Sequence, residues 1–289
     1  MRTKVPPLKT QGIKTKLVPF IRAAINWSEE MRWVEPFVGS GVVAFNIQPK
    51  RALLCDSNPH LIDFYRGIKE GLLSPQTVRD FLEHEGECLK QNGEDYYYEV
   101  RERFNAKPNP FDFLFLNRSC FNGMIRFNRK GAFNVPFCRK IDRFRPAYVT
   151  KIVNQVSWVG TVIDRGEYEF KVQDWRRTLA DSRYHDFVYL DPPYVARTTD
   201  YHGGWTAEDD EDLVRLLKRR RGGFALSTWL ENRYRRNTYV DENFSGYHIE
   251  TQEHFYHLGA TESLRNAITE ALVMNEPSPN LATGELEAA

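Results

Sequence analysis

The run Phe187-Val188-Tyr189-Leu190, followed by Asp191-Pro192-Pro193-Tyr194, limits the fold more than any other stretch of this chain. Its apolar half is short and rich in β-formers, which predicts a buried strand. Two consecutive prolines forbid both helix and continued sheet, so the strand stops at Asp191 and a stiff loop follows. Proline lacks an N–H, so the carbonyls of Asp191 and Pro192 are left to accept hydrogen bonds from outside the chain. Tyr194 adds a flat ring beside them. Rigid acceptors next to a stacking face suit an exocyclic amino group on a planar base; the bland alternative is an ordinary strand-to-loop exit.

Other apolar runs end in the same way. Met31-Arg32-Trp33-Val34 stops at Glu35 and Ala52-Leu53-Leu54-Cys55 stops at Asp56, while Phe224-Ala225-Leu226 ends at Ser227-Thr228. Helical spacing separates them: Leu17, Phe20, Ile21 and Ala24 early, then Leu61, Ile62, Tyr65 and Ile68, and later a helix opened by Thr206-Ala207-Glu208-Asp209 and closed by Gly222-Gly223. Strands alternating with helices imply a largely parallel α/β sheet. In such sheets ligands bind beyond the carboxyl ends of the strands, so the terminal acids open onto one crevice. Gly39-Ser40-Gly41-Val42-Val43-Ala44 between a strand and a helix fits a nucleotide-binding turn, with Asp56 placed to hold a ribose diol. By itself that pair equally suits a nicotinamide dehydrogenase. Glu35 ahead of the glycines would repel a pyrophosphate and suits a cationic cofactor such as S-adenosylmethionine.

A net charge of +1 conceals segregation. Residues 113–151 carry nine Lys/Arg against one acid and residues 215–236 carry eight against one, whereas residues 237–289 carry one against nine. Blocks of this kind are either solvated faces or the footprint of a phosphate backbone. No apolar run approaches the ~20 residues that span a bilayer, and the basic amino terminus lacks a signal-peptide core. The expected compartment is therefore the cytoplasm, with no membrane partner. Cys55, Cys88, Cys120 and Cys138 are too widely spaced, and too far from clustered histidines, to suggest a metal site or disulfides.

Five elements recur here in the order of a known family: Glu35-Pro36-Phe37-Val38-Gly39-Ser40-Gly41; Cys55-Asp56-Ser57-Asn58; Leu116-Asn117-Arg118 leading to Asn122-Gly123 and Arg126; Gly131-Ala132-Phe133-Asn134-Val135-Pro136-Phe137; and Asp191-Pro192-Pro193-Tyr194. Over about residues 8–275 the chain resembles the Dam-type (D12 class, alpha group) site-specific DNA adenine-N6 methyltransferases. The resemblance implies a Rossmann-like S-adenosylmethionine-dependent methyltransferase sheet with an inserted, mostly helical target-recognition domain. Composition shifts at the matching place, giving residues 1–70 and 141–275 as the two parts of a catalytic domain, 71–140 as the insertion and 276–289 as a flexible acidic tail.

The resemblance also implies roles. Asp191, Pro192, Pro193 and Tyr194 form the catalytic loop: the Asp191 carboxylate and Pro192 carbonyl accept the N6 hydrogens of a flipped adenine, and Tyr194 stacks on it. Thr10, Lys14, Glu35, Phe37, Gly39, Gly41, Asp56, Asp174 and Asp191 surround the cofactor. Lys14 is expected near its methionine carboxylate and Asp174-Trp175 at its adenine. Thr10, Gln11 and Ile13 depart from the family's Trp-Ala-Gly-Gly-Lys pattern. Arg118, Asn122, Arg126, Arg129 and Lys130 face DNA, with Arg126 reading a base and Arg129 and Lys130 contacting phosphate. The loop Tyr201-His202-Gly203-Gly204-Trp205 closes over the base. The implied partners are double-stranded DNA and a cognate restriction endonuclease. Rival readings are a cytosine-N4 methyltransferase, disfavoured by the acid at Asp191, a non-catalytic DNA-binding relative and a nicotinamide oxidoreductase.

Overall fold

The computed structural model describes residues 2–193, 205–255 and 267–275. The acidic tail at 276–289 lies outside the described residues. In chain order the elements are α1 (Val18–Ala24), β1 (Arg32–Glu35), α2 (Val42–Ile47), β2 (Arg51–Asp56), α3 (Pro59–Lys69), α4 (Pro75–Asn92), α5 (Glu94–Ala106) and α6 (Pro110–Ser119). After a 3-10 turn at Phe121–Gly123 come α7 (Pro146–Asp164), β3 (Glu167–Val172), α8 (Trp175–Asp181), β4 (Asp186–Leu190), α9 (Ala207–Arg219), β5 (Phe224–Asn232), α10 (Thr238–Phe244), β6 (His248–Phe255) and β7 (Ala267–Met274).

The strands form one sheet in the order β3-β2-β1-β4-β5-β7-β6. The first five are parallel and β7 runs antiparallel between β5 and β6. Strand order reverses between β1 and β4, which makes their carboxyl ends the topological switch point where ligands bind. This is the expected Rossmann-like α/β sheet. Two of its features depart from the pattern-based expectation. β5 does not end at Ser227-Thr228 but runs on to Asn232, because β7 supplies an antiparallel ladder that β4 does not. β3, whose alternation Glu-Tyr-Glu-Phe-Lys-Val is a strand signal, joins as an edge.

Side-chain alternation assigns each strand residue to a face. Trp33, Leu54, Phe187 and Tyr189 pack into one apolar cluster with residues of α1 to α7; Val34, Leu53, Val188 and Leu226 pack into a second with α8, α9 and α10. The helices α4 to α6 share the first cluster with the sheet: Leu82, Phe104 and Phe113 are fully buried in the same core as Trp33 and Phe45. Continuing the alternation past the core puts Glu35, Asp56 and Asp191 on that same face, at the carboxyl edge. Caps sharpen the helix starts. Ser74 with Thr77 and Thr206 with Asp209 form reciprocal capping boxes, and Asn58 and Asn109 accept from the first turns of α3 and α6.

Candidate active site

β1 ends in Glu35, which is 2% exposed. The Trp33 indole N–H donates to its Oε1 at 2.8 Å, yet burial, with the nearby Asp191 charge adding to it, pushes its carboxyl up to about 8. The turn that follows brings Gly39 N–H to 3.1 Å from Asp56 Oδ2. Asn58 N–H donates to the other oxygen of Asp56 at 2.9 Å, so one carboxylate ties the glycine turn to the start of α3. Burial still holds the Asp56 carboxyl up at about 6 against these donors. Gly41 has φ +65°, and a Cβ there would lie 2.4 Å from the Phe45 ring, so its place in the turn requires glycine. Around Gly39 a Cβ would meet nothing within 4 Å, leaving open space beside the backbone.

One strand over, Asp191 leaves β4 with its side chain 24% exposed. Its carboxylate pairs with Lys14 Nζ at 2.9 Å, and Lys14, only 3% exposed, also donates to the Gly12 carbonyl at 3.2 Å. Burial raises the Asp191 carboxyl; Lys14 pulls it down and the charge of Glu270, buried on β7, pushes it up. Lys14, expected at the cofactor's carboxylate, here forms an ion pair with Asp191. Pro192 is buried and Pro193 half-buried beyond it. Tyr194 and Tyr201 to Gly204 lie outside the described residues.

Phe37 stands half-buried after Glu35, 6.0 Å from the Trp175 ring and 5.7 Å from Trp205; the two indoles are 5.4 Å apart. These three rings form an aromatic wall beside the glycine turn. Asp174 takes a structural position, accepting from Arg176 N–H at 2.8 Å as the cap of α8. Trp205 is fixed by its indole N–H to Asp210 at 2.7 Å. The sequence placed Trp205 in a closing loop; its partnership with Phe37 required the fold.

The segment rich in Asn, Arg and Phe divides into a presented part and a supporting part. Asn128 caps a tight turn, its Oδ1 accepting from Lys130 and Ala132 N–H at 2.9 and 3.0 Å, with Phe127 bridged to Phe133 below it. Arg129 and Lys130 are exposed at the tip. Arg126 is half-buried on the stem, its Nε donating to Asn134 Oδ1 at 2.9 Å. Asn122 is exposed in a left-handed conformation at φ +55°. Arg118, expected on the DNA face, is instead interior: it is 2% exposed, donates to the Pro7 carbonyl at 2.9 Å and stacks its guanidinium 4.8 Å from the Tyr148 ring. The reason is its place in α6, a helix whose last eight residues are all buried.

Asn117 beside it is fully buried. Its Oδ1 accepts from Lys9 N–H at 2.8 Å, while its Nδ2 donates to the Lys9 carbonyl at 2.9 Å and the Gly123 carbonyl at 3.2 Å. One amide thereby fastens the amino-terminal segment, with half-buried Thr10, to the start of the loop that carries Asn122 and Arg126. Lys9 covers Gly123, whose φ is +67° and whose added Cβ would meet Lys9 Cδ at 2.4 Å. Burial, then Arg143 and Arg118, bring the Lys9 ammonium down to about 8. The sequence motif singled out Asn117 but did not reveal Lys9, its partner more than a hundred residues away.

The sequence model of the D12 class N6 adenine-specific DNA methyltransferases matches residues 11–258. A DNA adenine methylase of Vibrio cholerae is 31% identical over 238 residues, covering 78% of this chain and 80% of that protein. One of Serratia marcescens is 32% identical over 72% of this chain and 76% of its own length. A type II methyltransferase of Lactococcus lactis subsp. cremoris is 27% identical over 286 residues, 93% of this chain and 95% of that protein.

Proposed function

Since the chain belongs to the D12 class N6 adenine-specific DNA methyltransferases, we propose that it transfers a methyl group from S-adenosylmethionine to N6 of an adenine turned out of duplex DNA. One observation carries the reading: Asp191, at the end of β4 and followed by two prolines without N–H donors, sits on the same sheet edge and face as the acids Glu35 and Asp56 that flank the glycine turn.

The residues present fit the cofactor. Two carboxyl groups held above their ordinary range by burial gain most from a cationic ligand or a diol that donates to them. Asp56 would take the ribose hydroxyls, Glu35 the cationic end, and the Phe37–Trp175–Trp205 wall the adenine ring. Bound there, S-adenosylmethionine supplies an electrophilic methyl group.

The protein's part is positioning and electrostatics. The Asp191 carboxylate and the Pro192 carbonyl accept the two N6 hydrogens, which aims the nitrogen lone pair away from both. As the C–N bond forms N6 gains positive charge, which the Asp191 carboxylate stabilises, and the N6 proton lost on the way to N6-methyladenine passes along that hydrogen bond to Asp191 and on to solvent. Lys14 opposes the rise that burial imposes on that carboxyl before the base arrives. Turning an adenine out of the stack costs a few kcal/mol, which basic contacts at Arg129 and Lys130 offset, while Arg126 matches guanine O6 and N7 and so supports site selection.

The likeness to a type II methyltransferase over nearly the whole chain supports a role as the modification enzyme of a restriction-modification system, with a cognate restriction endonuclease as functional partner. The test is transfer of labelled methyl from S-adenosylmethionine to duplex DNA, with the product nucleoside identified and its positions mapped on a plasmid. N6-methyladenine at one sequence is expected, and Asp191→Ala is expected to abolish it with the fold retained. N4-methylcytosine, or no incorporation, would refute the reading.

A further inference from the structure

Strand order divides the carboxyl edge of the sheet into two sides. β1 and β2, which carry Glu35 and Asp56, lie on one side of β4, and β5 lies on the other. Alternation carries the face of Asp191 across to β5. Tyr189 and Ala225 belong to one apolar cluster while Leu190 and Leu226 belong to the other, so Asp191, Ser227 and Trp229 fall on one face. The last rung between these strands joins Leu190 to Leu226, which sets Asp191 level with Ser227 and puts Trp229 two residues further on. At about 3.3 Å per residue and about 4.8 Å between strands, the Cα atoms of Trp229 and Asp191 stand roughly 8 Å apart.

The backbone of Trp229 is fixed from two sides. Its carbonyl accepts from Asn237 Nδ2 at 2.8 Å, and it pairs with Glu270 across the antiparallel ladder to β7. Leu272 and Met274 of β7 pack into the cluster of Tyr189, so Glu270 shares this face, and its charge reaches Asp191. Trp229 is 8% exposed, yet its indole N–H has no hydrogen-bond partner among the described residues. The ring belongs to neither apolar cluster. A buried donor left unmade costs free energy, so a donor in this position calls for an acceptor from outside the chain.

We propose that Trp229 reads the target base, its indole N–H donating to a ring nitrogen that flanks the exocyclic amino group, N1 or N7 of adenine. The proposal rests on the methyltransferase reading above. With the cofactor on the side of Glu35 and Asp56, an amino nitrogen held at Asp191 faces β1, and the ring that bears it extends over β5. Asp191 and the Pro192 carbonyl offer acceptors to the amino group, and the indole adds a donor for the neighbouring ring nitrogen. Such a wall matches the adjacent donor and acceptor of adenine; the O6 and N1–H of guanine present the reverse. Trp229 is therefore a specificity-determining residue, acting on which base is held and how it is turned.

The test uses the full chain, as wild type, Trp229→Phe and Trp229→Leu, with duplexes carrying adenine, 1-deazaadenine or 7-deazaadenine at the mapped target position. The readout is kcat/KM for methyl transfer. Each deaza base exchanges one ring nitrogen for C–H and keeps the amino group. One neutral hydrogen bond is worth about tenfold, so the wild type should lose about tenfold on one of the two analogues, and each variant about tenfold on adenine. The signature is non-additivity: neither variant loses further on that analogue, while the other analogue affects all three proteins alike. Comparing the proteins on the same duplex cancels the change in base pairing that a deaza base brings. Equal fractional losses in all three proteins on both analogues overturn the proposal, make Trp229 a packing residue and leave the methyltransferase reading intact. A wild type that methylates all three duplexes alike overturns it without the variants. A wild type that methylates no adenine duplex removes the methyltransferase reading, and this proposal with it.

Discussion

Glu35→Gln offers the most direct probe of the cofactor site. In the ligand-free protein the Glu35 carboxyl is held at about 8 from an ordinary 4.5, mainly by burial. At neutral pH it is therefore largely protonated, and a cation bound against it must draw the proton off. Between about pH 6.5 and 7.5 the sulfonium does not titrate and Asp56, at about 6, is already mostly ionised. Across that window the affinity for S-adenosylmethionine should rise nearly tenfold, with close to one proton released per cofactor. Calorimetry in buffers of different ionisation enthalpy measures that proton directly. The introduced amide keeps an acceptor for the Trp33 indole but cannot ionise, so the variant should bind more weakly at about pH 7.5 and show no slope. Stability gives an independent check. A carboxyl raised in the folded state makes the native protein bind more protons than the unfolded one between 4.5 and about 8, so the ligand-free wild type loses stability as pH rises through that window. The variant should lose less. A wild-type affinity that is flat from about pH 6.5 to 7.5, or a slope that survives in Glu35→Gln, would refute the placement of Glu35 against the cofactor's charge.

Asn117→Ala deletes three hydrogen bonds and leaves half-buried Lys9 and buried Gly123 backbone groups without these partners, at about 1 kcal/mol each; denaturant unfolding should show a loss of roughly 3 kcal/mol. Gly41→Ala forces a left-handed alanine Cβ onto the packed Phe45 ring, and should cost roughly 2–3 kcal/mol in stability together with weakened cofactor affinity in a binding titration. Arg126→Lys removes the planar fork while keeping the charge, so methylation mapped across a genome should spread to sites differing at one base pair, with discrimination reduced by about 1–3 kcal/mol and the salt slope almost unchanged.

Local chemistry fixed the parts of this protein that answer to local rules. The ends of β1, β2 and β4 were visible because a short apolar run must stop where an acid or a proline pair begins, and the glycine turn because its backbone conformation excludes other residues. Parallel pairing followed from strands alternating with helices, and the crevice from their shared direction. Whatever depended on contacts distant in the chain required the fold. Arg118 and Arg126 look alike in sequence, eight residues apart in a basic block; only the packing of α6 buries one against Pro7 and Tyr148 while the other stands on a hairpin stem. Lys14 and Asp191 are 177 residues apart, and no periodicity joins them. The length of β5 was invisible because a strand's end is set by its partner's, and that partner, β7, comes from the last part of the chain to enter the sheet. Sequence alone thus marked the stiff loop that begins at Asp191 and the chemistry of its acceptors, since those are properties of bonds and side chains. Tertiary structure decided which charges stand beside it, which are held in the interior, and how far β5 runs on past it, because burial and pairing belong to the packed molecule and to no single stretch of it.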